Sequence, residues 1–145
     1  MTTEQNKAIV RRYFEASDAH DEVALSALLA PDVAGHSPGA TGTLNREVVV
    51  QVWKMFWAAF SDSHYTIEDQ VGEGDKVATR LTWRATHTGD FQGLPPTGKQ
   101  IAVSGMNLAR IKDGKLVELW PSFDQLGLMQ QLGLIPPPQS NRETN

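Results

Sequence analysis

In the N-terminal part of the chain, apolar residues recur with the spacing of α-helices. Residues 6–17 place apolar side chains three and four positions apart, which predicts an amphipathic helix. A shorter helix is predicted over residues 21–29, because a proline soon follows and disfavours helical backbone before it. A third helix is predicted over residues 45–60, with Asn45 as its N-cap. Between the second and third helices, residues 33–42 form a predicted loop rich in Gly and Pro.

From His64 onward the pattern changes to the two-residue alternation of β-strands. Strands separated by Gly-containing turns are predicted over residues 65–71, 76–88, 100–111 and 116–124. Turns this short favour antiparallel hairpins over helical crossovers. A short helix is predicted over residues 124–132, with Gly133 placed to cap its C-terminus.

Helices followed by antiparallel strands predict an α+β fold, in which the N-terminal helices pack on one face of a curved antiparallel or mixed sheet. A strongly bent sheet over a few helices leaves a conical space between the two layers, and such a space can take an apolar small molecule. The candidates for its walls are large aromatic residues: Phe14, Trp53, Phe56 and Trp120. The alternative for each of them is ordinary core packing.

Asp124 is the candidate for acid/base chemistry. It follows an apolar strand that carries Trp120 and Phe123, and period-two alternation would place Glu118, Trp120 and Asp124 on one face. A carboxylate beside aromatic rings loses hydration and can then exchange protons near neutral pH. The alternative is that Asp124 caps the helix that starts at the next residue.

Three further polar residues are candidates for substrate binding. His36 lies in the predicted loop and His87 at the end of a strand, where either could hydrogen-bond a substrate carbonyl. The alternative for each histidine is a structural bond to a loop backbone. Asn107 lies in the middle of a strand, so its amide must be satisfied by a ligand, by solvent or by a partner subunit. Glu118 is expected to form an ion pair with Arg80 or Arg110.

Composition narrows the class of protein further. The length of 145 residues indicates one domain, which we expect over residues 1–135. Residues 136–145 are predicted to form a disordered polar tail. A net charge of −4 gives no basic surface for nucleic acid, and no apolar run approaches the length of a membrane helix. The chain has no cysteine, and its histidines lie on unrelated segments, so we expect neither thiolate chemistry nor a metal site. The N-terminal residues do not resemble a signal peptide, which fits a cytoplasmic protein.

Several short segments are each too common to indicate a protein family, but their order and spacing along the chain together do. They are residues 6–15, 86–89, 96–99, 113–115, 118–120 and 124–133, with Arg110. In this order they resemble the SnoaL-like polyketide cyclase family over nearly the whole chain. The resemblance implies the NTF2-like α+β cone of that family, working as a homodimer.

The resemblance also implies a reaction: cofactor-free, intramolecular aldol ring closure of an apolar aromatic polyketide ester. The family places its acid/base in the terminal strand-to-helix region, and Asp124 matches that position. A carbon flanked by carbonyls is acidic, so one carboxylate can take its proton and return it to the new alkoxide. Two residues depart from the family pattern. Leu119 stands where many members carry a histidine, and Pro121 could redirect the chain before Asp124.

Two other functional classes remain open at this point. One is a different enzyme on the same cone, such as a ketosteroid isomerase-like or an epoxide hydrolase-like protein. The other is a non-catalytic module that binds a small molecule or dimerises. A desolvated Asp124 in a dry pocket favours an enzyme, whereas a solvated helix cap favours the non-catalytic module.

Overall fold

The computed structural model describes residues 1–136, in which helices pack against a mixed five-stranded sheet. The helices are α1 (Thr3–Asp18), α2 (Glu22–Leu28), α3 (Arg46–Ala59) and the short C-terminal α4 (Gln125–Gln131). The strands are β1 (Leu29–Gly35), β2 (His64–Glu73), β3 (Lys76–Thr86), β4 (Gln100–Lys112) and β5 (Lys115–Phe123). The α+β prediction is confirmed, whereas nearly all of the predicted tail lies outside the described residues. None of the helices in residues 1–136 is long and apolar enough to cross a membrane.

The helix starts follow from capping side chains. Thr2 and Gln5 form a capping box, in which Thr2 Oγ1 accepts the Gln5 N–H and the Gln5 side chain accepts the Thr2 N–H. At α3, Asn45 Oδ1 accepts the Val48 N–H at 3.0 Å, as the sequence predicts. Each cap satisfies an amide that has no partner within its own helix.

The sheet has the strand order β1-β5-β4-β3-β2. The pairs β2–β3, β3–β4 and β4–β5 are antiparallel, which confirms the predicted hairpins. The strand β1 pairs in parallel with β5, so the prediction of a helix end and a loop over these residues is wrong. Its pairing is irregular between Leu29 and Ala34, and Pro31, which has no N–H to donate, lies within this irregularity. Long-range pairing with β5 therefore outweighs a local composition typical of loops.

The core lies between the helices and the inner face of the sheet. On β3, the predicted inward side chains Val77, Leu81 and Trp83 are buried, whereas Arg80 and Arg84 are exposed. The buried residues form two apolar clusters, one beneath α1 and α2 and the other around the end of α3, β4 and α4. The space where these clusters meet is the cavity described below.

Gly105 on β4 leaves room for the ring of Phe123 on β5. It pairs with Phe123 across the β4–β5 hairpin, and the Phe123 ring lies directly over it. A Cβ atom at position 105 would overlap three carbons of this ring. A glycine here therefore lets the ring lie flat against the sheet.

We expect Gly105→Ala to lower the free energy of unfolding by about 1–3 kcal/mol, because the added methyl group must displace a packed ring. Urea unfolding measures this change. In a Phe123→Ala background the same substitution should cost much less, since the ring is absent. An equal cost in the two backgrounds would show that Phe123 is not the reason for the glycine.

Candidate active site

A cavity of about 180 Å³ lies between α1, α3 and the inner face of the sheet, with the start of α4 beside it. Its wall is mostly apolar and includes several large aromatic side chains: Phe14, Trp53, Phe56, Tyr65, Trp83 and Phe123. Phe14, Trp53 and Phe56 thus lie in the wall, where the helical stripes of the sequence place them. Such a lining suits a flat, apolar molecule.

The aromatic rings of the wall hold one another in place. Tyr13 meets Trp53 edge to face at 5.7 Å between ring centroids, and Phe14 meets Trp53 in the same way at 6.2 Å. Trp53 Nε1 also donates a hydrogen bond to Tyr13 Oη at 2.6 Å. Burial raises the pKa of Tyr13 and of Tyr65, so both phenols stay protonated. The aromatic part of the wall is therefore uncharged and held by contacts between its own rings.

Asp124 is the one carboxylate among the described residues that line the cavity. Its Oδ1 accepts the Gly127 N–H at 2.8 Å, so the alternative prediction of a helix cap is confirmed. The side chain is exposed, so the expected loss of hydration beside aromatic rings is wrong for the free protein. The cap does not use both oxygens, because Oδ2 accepts no hydrogen bond from the described residues. Asp124 thus combines a structural bond with a carboxylate oxygen that remains available at the cavity.

Pro121 does not redirect the chain before Asp124. The strand β5 continues through Pro121, which lies opposite Asn107 on β4, and it ends at Phe123. Because Leu119, Pro121 and Phe123 line the cavity, the alternating Trp120 points to the outer face. The prediction of Trp120 as a cavity wall is therefore wrong.

His36 belongs to the outer face as well. The residue follows β1 and is among those that line the cavity, but its ring stacks on Trp120 with 5.1 Å between centroids, and its Nε2 lies 2.8 Å from Glu118 Oε2. The imidazole is therefore occupied, and the prediction that it binds a substrate carbonyl is not supported. Glu118 also accepts a bond from Arg110 Nε at 3.4 Å, which confirms the predicted ion pair with Arg110. The bond from His36 and the neighbouring Arg110 lower the pKa of Glu118.

His87 has a structural role. It is fully buried, and its Nδ1 accepts the Thr97 N–H at 3.2 Å, with the Thr97 hydroxyl at 3.0 Å. It does not line the cavity, and its ring lies near Phe60 and Phe91. The alternative prediction, a bond to a loop backbone, is the one that the structure confirms.

Asn107 is a buried amide in an apolar cavity. It is 3% exposed, it lines the cavity from the middle of β4, and its Nδ2 has no hydrogen-bond partner within residues 1–136. Leaving a buried donor unpaired costs about 1–3 kcal/mol. Because it points inward, a partner on the outer face cannot satisfy it, whereas a molecule in the cavity can.

Comparison with known proteins identifies the family. The model of the SnoaL-like polyketide cyclase family matches residues 7–132. The aklanonic acid methyl ester cyclase DauD of Streptomyces sp. (strain C5) is 32% identical over 133 residues, which cover 86% of this chain and 80% of DauD. The chain belongs to the SnoaL-like polyketide cyclase family.

Solved structures agree on the fold of this SnoaL-like cyclase. IdmH of Streptomyces antibioticus, a proposed polyketide cyclase, superposes with a TM-score of 0.82 at 35% identity and covers 89% of this chain and 99% of its own. AclR of Streptomyces galilaeus, a proposed hydroxylase, gives 0.89 at 26% identity, with 99% of this chain and 90% of AclR covered. One fold thus carries different proposed reactions, so the reaction has to be argued from the cavity.

Two features of the cyclase's cavity could not be found from sequence patterns. Tyr13 fits the apolar stripe of α1, so nothing marks its hydroxyl as part of a site. Leu119 and Pro121 reach the cavity only because β5 pairs with β4 in this register.

Within residues 1–136, no group of three or more His, Cys, Asp or Glu side chains could hold a metal ion.

We expect His36→Ala to raise the pKa of Glu118 toward its ordinary value, because the bond from His36 is the largest cause of its lowering. Carboxyl-carbon NMR titration measures this shift. His64→Ala, which removes a histidine paired with Asp18 instead, is the matched control and should leave Glu118 unchanged.

The sign of the pH effect follows from this pKa. A carboxylate whose folded pKa is lowered stabilises the fold above its unfolded pKa, and this contribution is lost as pH falls through the folded pKa. The stability of His36→Ala should therefore fall less between neutral and acidic pH than that of the wild type. An equal fall would contradict the assigned role of His36.

Proposed function

We propose that this SnoaL-like cyclase closes a carbocycle in an apolar polyketide ester by a cofactor-free intramolecular aldol reaction, with Asp124 as base and then acid. The observation that carries the proposal is the position of Asp124, which is the single carboxylate among the described residues that line a mostly apolar cavity. The relative DauD, named as an aklanonic acid methyl ester cyclase, supports this substrate class.

The reaction needs one proton carrier. The Asp124 carboxylate takes a proton from a carbon between two carbonyl groups, and the electron pair is delocalised as an enolate. The enolate carbon attacks a ketone of the same molecule and forms the new C–C bond, which leaves an alkoxide. Asp124 returns its proton to this alkoxide, so no atom is gained or lost.

Substrate binding would change the surroundings of Asp124. In the free protein the carboxylate is exposed, but a polycyclic ligand in the cavity would cover it and exclude water. Loss of hydration makes a carboxylate a stronger base toward a carbon acid. The Gly127 N–H meanwhile holds Oδ1 and fixes the direction of the carboxyl group.

Asn107 supports the proposal as a donor for developing negative charge. Its Nδ2 is buried and unpartnered within the described residues, and it can donate to the oxygen that carries the enolate charge. Because a neutral amide needs no reorganisation in an apolar cavity, it stabilises an oxyanion well there.

The charge of the cavity favours an ester over a free acid. Among the described residues, no Lys or Arg lines the cavity, so a carboxylate on the ligand would be buried without a counter-ion. Asp124 would also repel it. An esterified carboxyl group avoids both costs.

A homodimer is part of the proposal. The outer face of the sheet carries Met106 and Leu108, which are 51% and 36% exposed, next to Trp120 on β5. Exposed apolar residues on one sheet face are typical of a protein interface. A second copy would cover them.

For the reaction, we expect Asp124→Asn to lower turnover of aklanonic acid methyl ester by about 10²–10⁴-fold, the usual contribution of an acid/base group. Asparagine caps helices as well as aspartate does, so the free energy of unfolding should change little. Asp21→Asn is the matched control, because Asp21 caps α2 in the same way and does not line the cavity. Near wild-type turnover by Asp124→Asn would show that another group is the base.

For the assembly, we expect the wild type to have the mass of a dimer by size-exclusion chromatography with light scattering, and Met106→Glu to shift it toward monomer. A charge placed in a buried apolar interface opposes association. Val23→Glu, at an 80% exposed residue of α2 in the helical layer, should remain dimeric. A monomeric wild type would refute the dimer without affecting the proposed reaction.

A further inference from the structure

The hydroxyl of Tyr13 has an unused hydrogen. Trp53 Nε1 lies 2.6 Å from Tyr13 Oη, and an indole N–H can only donate. The tyrosine oxygen is therefore the acceptor in this bond, and its own hydrogen must point elsewhere. Within residues 1–136, no second hydrogen bond involves the Tyr13 hydroxyl.

Tyr13 cannot turn its hydroxyl to bulk water. The residue is 3% exposed, and its ring meets Phe14 and Trp53 edge to face at 5.5 and 5.7 Å. Tyr13 and Trp53 both line the cavity. Because burial raises the pKa of Tyr13, the hydroxyl keeps its proton at neutral pH. The unused hydrogen is thus held beside the cavity.

We propose that the Tyr13 hydroxyl is a substrate-binding group, which donates a hydrogen bond to a carbonyl oxygen of the molecule in the cavity. Trp53 is its positioning residue: the indole fixes the phenol and, by donating to its oxygen, strengthens the phenol as a donor. The inference rests on the proposed function in one respect, that the molecule in the cavity is a carbonyl compound.

Tyr13 and Asn107 approach the cavity from different layers. Tyr13 lies on α1 in the helical layer, and Asn107 lies on β4 in the sheet. Both donors are neutral and 3% exposed. A compound with several carbonyl oxygens can pair with both, whereas a hydrocarbon of the same shape leaves both unpaired and incurs that cost. The cavity therefore discriminates by carbonyl oxygens as well as by shape.

The test compares two probes of the same shape, 9,10-anthraquinone and anthracene, whose dissociation constants are measured by fluorescence titration. The wild type should bind anthraquinone more tightly. Tyr13→Phe should reduce this preference by about tenfold, the value of one buried hydrogen bond. A general disturbance of the cavity would weaken both probes equally, so the ratio of the two constants reports on hydrogen bonds. Because Tyr13→Phe also frees the Trp53 N–H, the same comparison is made in a Trp53→Phe background, where that donor is absent.

Three further variants serve as comparisons. Phe56→Leu reshapes the wall without removing a donor, so its ratio should match that of the wild type. Trp53→Phe should lower the ratio, because Tyr13 then loses the bond that orients it. Asn107→Leu should lower it through the other donor, and a preference that depends on Asn107 alone overturns the role of Tyr13.

The outcome of the probe-binding test does not depend on whether the proposed reaction is correct. A wild type without preference for anthraquinone, or a Tyr13→Phe variant that keeps it, overturns the inference. Binding of the two probes requires no proton transfer, so this test does not depend on Asp124 acting as a base. Turnover by Asp124→Asn separately decides the role of that carboxylate.

Discussion

The pairing of β5 with β4 decides which side chains reach the cavity. Asn107 lies opposite Pro121 and Gly105 lies opposite Phe123, so one row of alternating residues faces the cavity and the next faces outward. A slip of one residue would turn Trp120 inward and Leu119 outward. The outer-face contacts oppose such a slip, because Glu118 reaches both His36 and Arg110 only in this register. The cavity thus depends on bonds made on the opposite side of the sheet.

Most of the fold could be predicted from local patterns. The helices α1 and α3 and the strands β3 and β4 each carry a periodicity that their burial confirms. The strand β1 could not be predicted in this way, because it contains Pro31 and is held by distant bonds to β5. Local composition describes what a segment prefers alone, whereas a parallel strand depends on hydrogen bonds to a partner that is distant in sequence.

The candidate site was predictable to a smaller extent. Asp124 could be found because an acid at a strand-to-helix boundary is visible in the sequence, and both of its predicted roles, cap and cavity residue, are compatible in the structure. His36 and Trp120 could not be placed, because their direction depends on β1 and on the register of β5. Tyr13 was hidden for another reason. A tyrosine in an apolar helical stripe has the pattern of a core residue. Only the structure shows that the Trp53 N–H donates to its oxygen and leaves its hydrogen free to point elsewhere.

The buried donors of the cavity are suited to a ligand that carries hydrogen-bond acceptors. Tyr13 and Asn107 each bring a hydrogen-bonding group into an apolar space, and the described residues leave a hydrogen of each unused. Leucine at position 107 would fill the same space without an unpaired amide, whereas phenylalanine at position 13 would leave the Trp53 N–H without its acceptor. Apolar packing alone therefore does not explain Asn107, and the bond from Trp53 uses only the oxygen of Tyr13. A carbonyl compound would pair with both groups at once, which gives selectivity for a ligand that carries carbonyl oxygens.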